Sequence, residues 1–275
     1  MAVYARKLYL LPRSNPWCRM MKLVTIEEIR RIGQPKDILA THSPYSVHVL
    51  RKVSPYFTKF FIMHKITANQ VSILGILIGI LSAFMLSLGT SLMLVGCLLY
   101  QFWNLCDSID GEIARVTDTK TLSGKYLETI SEAISECCFV LFWGVGLSRM
   151  LDNALFFYSG LIFAIFVMSL NCFARTRDGL LSSRAQTDVG KLSGVKGFYK
   201  KLRIWFIVYN GYLIVTVLLI LELIFPYRFQ MFGIALNLLA CYFLLYGVIW
   251  IVRAIISSVT NYMTIRSRID LRVNE

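Results

Sequence analysis

The sequence has few of the features from which soluble enzymes commonly build their sites. Its three histidines show no metal-ligand spacing, and its seven cysteines lie mostly inside apolar runs without zinc spacing. It contains no Walker loop, no nucleophile elbow and no Rossmann fingerprint. These absences argue against zinc, P-loop and dinucleotide chemistry, and nothing implies a disulfide framework. No apolar stretch precedes Arg13, so we expect no cleaved signal peptide.

Acidic residues are also scarce, 16 against 29 lysines and arginines, which leaves a net charge of +13. The chain is nevertheless 56% apolar, with a mean hydropathy of +0.61. The basic residues fall in segments between apolar runs. We therefore expect membrane lipids and phosphorylated substrates as partners, and no nucleic acid. Several apolar runs exceed the roughly 18 residues that mark a transmembrane helix. The predicted fold class is an all-α integral membrane protein.

We predict six transmembrane helices, preceded by an amphipathic helix in the membrane interface. In residues 44–65, Arg51, Lys52 and Lys59 interrupt aromatic and aliphatic residues, and Pro55 is expected to kink or divide the helix. The six spans are predicted near 69–88, 92–112, 125–148, 153–174, 204–225 and 229–256. Of the 29 lysines and arginines, 27 fall on one side of these spans. The positive-inside rule then places both termini in the cytoplasm.

These predictions divide the chain into four parts. Residues 1–43 form a cytoplasmic segment with a short helix near Thr25–Ile32, and the amphipathic helix follows at 44–65. Residues 66–260 form the membrane domain, and residues 261–275 form a cytoplasmic tail.

Acids concentrate at the predicted cytoplasmic ends of the second and third spans. The relevant residues are Asp107, Asp110, Gly111 and Ala114 on the first helix, and Gly124, Glu128 and Glu132 on the next. Spacings of three and four residues put each set on one helix face. Ionisable groups at a membrane are costly and need a function. If the two faces meet, four mutually repelling carboxylates converge, and such a site suits a hard divalent ion such as Mg²⁺ or Mn²⁺.

The stretch from Asp107 to Glu132 resembles the signature of the CDP-alcohol phosphotransferases, D-x2-D-G-x2-A-R-x8-G-x3-D-x3-D. Every spacing matches, and so do the six defined residues from Asp107 through Gly124. The third and fourth acids are Glu128 and Glu132, where the family has aspartate. Because glutamate carries its carboxylate about 1.5 Å further out, the site is either re-spaced or impaired. We favour a re-spaced site, since both residues remain acids.

The resemblance implies metal-dependent transfer of a phosphate-linked group from a CDP-activated donor to a polar alcohol or polyol phosphate, with release of CMP. The donor in the family is usually CDP-diacylglycerol or a relative. The residues implied to hold two Mg²⁺ or Mn²⁺ ions are Asp107, Asp110, Glu128 and Glu132, with Glu132 also acting as catalytic base. Those implied at the CDP donor are Thr67, Asn69, Gly111, Ala114, Arg115 and Gly124.

Two of these assignments have structural alternatives. Residues Thr67–Ser72 look like the family's T-P-N-x-x-T/S entry to its first membrane helix, with Ala68 in place of proline. Thr67 is equally suited to cap that helix. Arg115 is suited to a donor phosphate or to a plain positive-inside anchor.

Acceptor and assembly are less constrained. Eight basic residues in 175–203 predict an acceptor pocket that includes Arg175 or Arg203, or else ordinary contact with lipid phosphates. The amphipathic helix resembles the phosphatidylinositol-phosphate-synthase-like branch, which favours a polyol acceptor. A homodimer is expected from the family. The alternative functions are a catalytically silent lipid-binding or assembly subunit and, with less support from clustered acids, a membrane transporter.

Overall fold

The computed structural model describes residues 25–39, 43–180, 211–231 and 234–273, and these residues are almost entirely helical. In chain order the helices are α1 Ile26–Gly33, α2 Lys36–Leu39, α3 Arg51–Met63, α4 Ala68–Leu86, α5 Thr90–Val116, α6 Leu122–Leu151, α7 Leu155–Leu180, α8 Gly211–Ile224 and α9 Leu238–Val273. A π-helical turn, Ser46–Leu50, precedes α3. Strands β1 Phe229–Met231 and β2 Ile234–Leu236 form an antiparallel pair before α9. The predicted all-α class is confirmed.

Five helices in the described part of the chain are long and apolar enough to cross a membrane: α4, α5, α6, the Leu155–Cys172 part of α7 and the Leu238–Met263 part of α9. They correspond to the predicted spans one to four and six. The predicted fifth span, 204–225, lies partly outside the described residues, and its described part, α8, has only 14 residues. The structure therefore supports a multi-pass membrane protein, with five candidate spans among the described residues.

The start of the last span differs from the prediction. Residues 229–236 were expected to be helical, whereas the structure pairs Phe229 with Leu236 and Met231 with Ile234 in a two-stranded ladder. The helix begins at Leu238, where the Asn237 side chain accepts a hydrogen bond from the backbone N–H of Ala240 at 2.8 Å. Short apolar runs fit a strand or a buried helix equally well. The same helix continues to Val273, so most of the predicted tail is helical.

The described chain divides into two compact units, each described by itself. The first comprises the described residues up to Gly75 together with Asn104–Glu128. Its helix α1 matches the predicted helix near Thr25–Ile32. The helix begins with a capping box, in which Thr25 Oγ1 accepts from the Glu28 N–H and Glu28 Oε2 accepts from the Thr25 N–H.

Helix α3 confirms that the predicted amphipathic segment is helical. Pro55 lies within α3, and the π-helical turn ends at Leu50. Proline has no N–H, so it leaves the carbonyl four residues earlier without its usual partner. That carbonyl belongs to Arg51, and the Gln34 side chain donates to it at 2.7 Å. The chain thus compensates for Pro55 with a donor from the end of α1. The location of α3 in the membrane interface stays a prediction.

Helix α4 begins with a second capping box. Thr67 Oγ1 accepts from the Gln70 N–H at 3.3 Å, and Gln70 Oε1 accepts from the Thr67 N–H at 2.9 Å. The predicted capping role of Thr67 is confirmed.

We expect Gln70→Ala to destabilise the folded protein by about 1 kcal/mol, because it removes half of this reciprocal cap. Thermal unfolding in detergent, followed by circular dichroism, measures the change. Gln230→Ala, at an exposed site in β1, is the matched control. Equal unfolding temperatures for the two variants would contradict the stabilising role.

The second unit comprises Ile76–Trp103 and the described residues from Thr129 onward. Its core is rich in large aromatic rings: Tyr100, Phe139, Trp143, Phe243 and Tyr246 are each no more than 1% exposed. Tyr100 and Phe139 have ring centroids 4.3 Å apart, and Trp143 and Phe243 lie 4.9 Å apart edge to face. Such pairs add to the attraction between packed helices. This core packs α6 from Thr129 onward against parts of α5 and α9 in the same unit.

Candidate active site

The two aspartates of the signature lie near the end of α5, and Asp110 is hydrogen-bonded to the start of α4. Asp110 is 6% exposed, and its Oδ2 accepts a hydrogen bond from Ser72 Oγ at 2.6 Å. Asp110 also interacts electrostatically with Asp107, one helical turn earlier, and with Glu128 on α6. A short hydrogen bond to a carboxylate fixes its orientation. Ser72 therefore holds Asp110 in place beside the other acids.

Asp107, Asp110 and Glu128 form a carboxylate cluster in the first unit. Asp107 and Asp110 are on α5 and Glu128 is on α6, with carboxylate oxygens of Asp107 and Glu128 within 4.8 Å of each other. Asp107 is partly buried, whereas Glu128 is exposed. Glu132 lies four residues beyond Glu128 on α6 and is partly buried. Its place among the metal ligands stays a prediction.

The chemistry of this cluster fits a divalent cation. Carboxylate oxygens are ligands that Mg²⁺ prefers, at about 2.1 Å, so two of its ligand oxygens stand at most about 4.2 Å apart. The Asp107 and Glu128 oxygens, within 4.8 Å of each other, reach that range with a small rotation of the flexible glutamate side chain. Neighbouring carboxylates without a cation repel one another, so a hard cation fits the donor set.

Arg115 lies over Gly111, one turn earlier on α5. Its Nε donates to the Gly33 carbonyl at 2.7 Å. A Cβ at position 111 would stand 3.0 Å from Arg115 Nη1 and 3.1 Å from Nη2. Any larger residue at position 111 would require the Arg115 guanidinium to move, whereas glycine leaves it in place. Arg115 Nη2 is buried and has no hydrogen-bond partner among the residues that the structure describes.

The structure also brings together the residues predicted from the α4 entry and the α6 start. A Cβ at Gly124 would stand 3.1 Å from Asn69 Oδ1. Thr67, two residues before Asn69, uses its hydroxyl in the α4 cap. Ala114 is partly buried on α5. The close approach of the Asn69 side chain gives a physical reason for the glycine at position 124.

A model of the family described as CDP-alcohol phosphatidyltransferase matches residues 65–241, well over half of the chain. The chain belongs to the CDP-alcohol phosphatidyltransferase family. The expected family, and the class of CDP-alcohol phosphotransferases, are therefore confirmed. The matched region contains the acidic cluster, Ser72, Asn69 and Arg115.

Two curated relatives in this family are named "Bifunctional IPC transferase and DIPP synthase". The protein from Thermococcus kodakarensis is 36% identical over 85 residues, which cover 31% of this chain and 19% of the relative. The protein from Archaeoglobus fulgidus is 29% identical over 123 residues, which cover 44% of this chain and 24% of the relative. The similarity thus spans a quarter or less of each relative's length.

The structure adds two residues that the sequence analysis did not assign. Ser72 occupies the T/S position of the motif T-P-N-x-x-T/S at the start of α4. The resemblance to this motif could therefore have identified Ser72 as a residue of the site. Glu112 was not considered, although a fully buried charge in a membrane helix requires a partner.

Glu112 accepts hydrogen bonds from four side chains. Oε1 accepts from Arg51 Nη1 at 3.0 Å, from Gln34 Nε2 at 2.8 Å and from Ser54 Oγ at 2.5 Å. Oε2 accepts from Thr58 Oγ1 at 2.7 Å. Three of the donors come from α3 and the fourth follows α1. All four donors share one acceptor, Glu112, which lies inside the signature stretch from Asp107 to Glu132.

The predicted acceptor residues are not tested by this geometry. Arg175 lies on α7, but its side chain is outside the described part of the chain. Arg203 lies outside the described residues. Their role in the acceptor pocket stays a prediction.

Proposed function

We propose that this protein transfers a phosphate-linked group from a CDP-activated donor to a polar alcohol or polyol phosphate, releasing CMP, in phospholipid biosynthesis. The observation that carries the proposal is the carboxylate cluster of Asp107, Asp110 and Glu128, with Asp107 and Glu128 oxygens within 4.8 Å of each other, inside the family-matched region. The donor we propose is CDP-diacylglycerol or a related CDP-linked lipid, since the cluster belongs to a multi-pass membrane protein.

Four acids hold Mg²⁺ or Mn²⁺ in this proposal: Asp107, Asp110, Glu128 and Glu132. When bound, such ions neutralise the donor pyrophosphate and stabilise the CMP leaving group. Asp107 and Glu128 present carboxylate oxygens within 4.8 Å of each other, and Ser72 fixes the orientation of Asp110. Holding carboxylates in advance removes the cost of reorganising them during the reaction.

The donor is oriented by small residues and one arginine. Gly111 and Ala114 leave room on α5 for the CDP moiety, and Arg115 offers a guanidinium to a donor phosphate. Asn69 and Gly124 approach each other closely beside this space, with Thr67 at the start of α4. A larger side chain at 111 would meet the guanidinium.

Glu132 acts as general base toward the acceptor. The acceptor hydroxyl oxygen forms a bond to the phosphorus that carries the transferred group. The bond from that phosphorus to the CMP oxygen breaks, CMP leaves with the electron pair, and the hydroxyl proton passes to the Glu132 carboxylate. The acceptor, a polyol or its phosphate, is held by Arg175 or Arg203.

The distribution of basic residues supports an orientation for the site. With 27 of 29 lysines and arginines on one side of the predicted spans, both termini and the acidic cluster face the cytoplasm. A cytoplasmic site gives access to water-soluble acceptors. A homodimer is part of the same proposal and rests on the family alone.

The proposal is tested by measuring CMP release from the purified protein in lipid with CDP-diacylglycerol and a panel of polyols and their phosphates. We expect CMP release that requires Mg²⁺ or Mn²⁺ and one acceptor, and that is lost when EDTA removes the metal. Intact CDP binding without turnover for any donor or acceptor would favour a catalytically silent subunit. Failure to bind CDP would overturn the proposed function altogether.

A further inference from the structure

Glu112 shares α5 with Asp107 and Asp110, yet its four hydrogen-bond donors belong to α3 and to the residue that follows α1. We propose that Glu112 is a positioning residue that acts on Arg115 through Gly33. This inference rests on the proposed function, because it assigns Arg115 to a phosphate of the CDP donor.

The first step is the attachment of the α1 end to α5. Gly33 is buried, and a Cβ at this position would stand 3.2 Å from Glu112 Cγ and 3.3 Å from its Cβ. The backbone at Gly33 thus packs directly on the Glu112 side chain. The next residue, Gln34, donates from Nε2 to Glu112 Oε1 at 2.8 Å. Packing and hydrogen bonding together fix residues 33 and 34 against α5.

The second step is the hold on Arg115. The carbonyl of Gly33 accepts from Arg115 Nε at 2.7 Å. The guanidinium is planar with five N–H donors in a rigid fork, so fixing Nε also sets the direction of the two Nη groups. Those groups lie over Gly111, and Nη2 is buried without a hydrogen-bond partner among the described residues. A phosphate oxygen is the partner that this donor suits.

The third step concerns charge. Arg115 interacts electrostatically with both Arg51 and Glu112. Arg51 is itself buried, 5% exposed, and forms an ion pair with Glu112 at 3.0 Å. Without Glu112, two like charges would lie close together in a poorly solvated region. Glu112 therefore offsets Arg51 and allows Arg115 to remain over Gly111.

Alternatives for Glu112 are less consistent with its contacts. Direct ligation of metal would need a free carboxylate oxygen pointing toward Asp107, whereas both oxygens already accept hydrogen bonds from α1 and α3 residues. A purely structural tie between helices explains the contacts to Ser54 and Thr58. It does not predict any energetic coupling between Glu112 and Arg115 in ligand binding.

A double-mutant cycle distinguishes positioning from a purely structural role. The variants are Glu112→Ala, Arg115→Ala and the double substitution, with Glu27→Ala on the exposed face of α1 as control. The measurement is the Kd for CDP in detergent with Mg²⁺, by titration calorimetry. We expect each single variant to weaken CDP binding by roughly tenfold or more, as loss of a charged hydrogen bond does. The double variant should bind no more weakly than Arg115→Ala.

The proposal would be overturned if the fold-increases in the Kd for CDP of the two single variants multiplied in the double variant. Unchanged CDP binding in Glu112→Ala would also overturn it. If Glu112→Ala does not fold, Gln34→Ala replaces it in the cycle. Gln34 is only partly buried, and its substitution removes one of the four donors to Glu112. The same coupling with Arg115, about threefold in Kd, is then expected. If the unsubstituted protein binds no CDP, the proposed function itself fails. If it binds CDP but the two substitutions show no coupling, only the positioning role of Glu112 fails.

Discussion

Glu132→Gln is expected to lower the rate of CMP release about a thousandfold while leaving the protein folded. The glutamine has nearly the same shape but has neither the charge nor the basicity of the carboxylate. Glu132 lies one helical turn beyond Glu128 on α6 and is proposed both as a metal ligand and as the base, so the change removes the two roles together. Loss of a general base alone commonly costs 10² to 10⁴-fold in rate, on the order of several kcal/mol. Turnover with CDP-diacylglycerol and the active acceptor measures the effect.

Two comparisons separate this effect from a folding defect. Glu27→Gln removes an exposed acid on α1 and should retain the activity of the unsubstituted protein. Asp107→Asn removes a carboxylate from the carboxylate cluster, and we expect it to abolish turnover as well. Circular dichroism should show helical content unchanged in all three variants. Full activity in purified Glu132→Gln would rule out its assignment as the base.

Much of the fold could be predicted because its determinants are local. Long apolar runs predict transmembrane helices whatever their neighbours are, and α4, α5 and α6 lie within a few residues of the predicted spans. The capping box at Thr67 and the helix near Thr25 are also local patterns. The pairing of Phe229 with Leu236 was missed, because a short apolar run carries no periodic signal for strand against helix.

The acidic cluster was predictable for a different reason. Spacings of three and four residues set Asp107 and Asp110 on one face of α5 and Glu128 and Glu132 on one face of α6, and the family resemblance implied that the two faces share one metal site. The contacts of Glu112 depend instead on residues 54 to 78 positions away in the chain. No spacing rule connects such distant positions. A charged residue within a predicted membrane helix requires partners, but the sequence does not identify them.

The departure of this chain from the aspartate signature leads to a second large effect. We expect the paired substitution Glu128→Asp with Glu132→Asp to lower turnover by about a hundredfold. Each change withdraws a carboxylate by about 1.5 Å, one carbon–carbon bond, from the proposed metal site. The Asp107 and Glu128 oxygens lie within 4.8 Å of each other, and two oxygens bound to one Mg²⁺ stand at most about 4.2 Å apart, so a shorter side chain at 128 has less reach to a shared cation. A misplacement of about 1 Å near reacting groups can cost 10²-fold in rate.

The single substitutions test whether the two glutamates were re-spaced together. Glu128 is exposed and Glu132 is partly buried, so Glu128 has more freedom to move toward a bound cation. We therefore expect Glu128→Asp to lose less activity than Glu132→Asp. Apparent affinity for Mg²⁺, taken from the metal dependence of CMP release, should weaken in parallel with the rate. A clear gain of activity in the paired variant would mean that the natural glutamates impair the site. In that case the carboxylates are too far forward, and the silent-subunit interpretation would gain a structural basis in the same two residues.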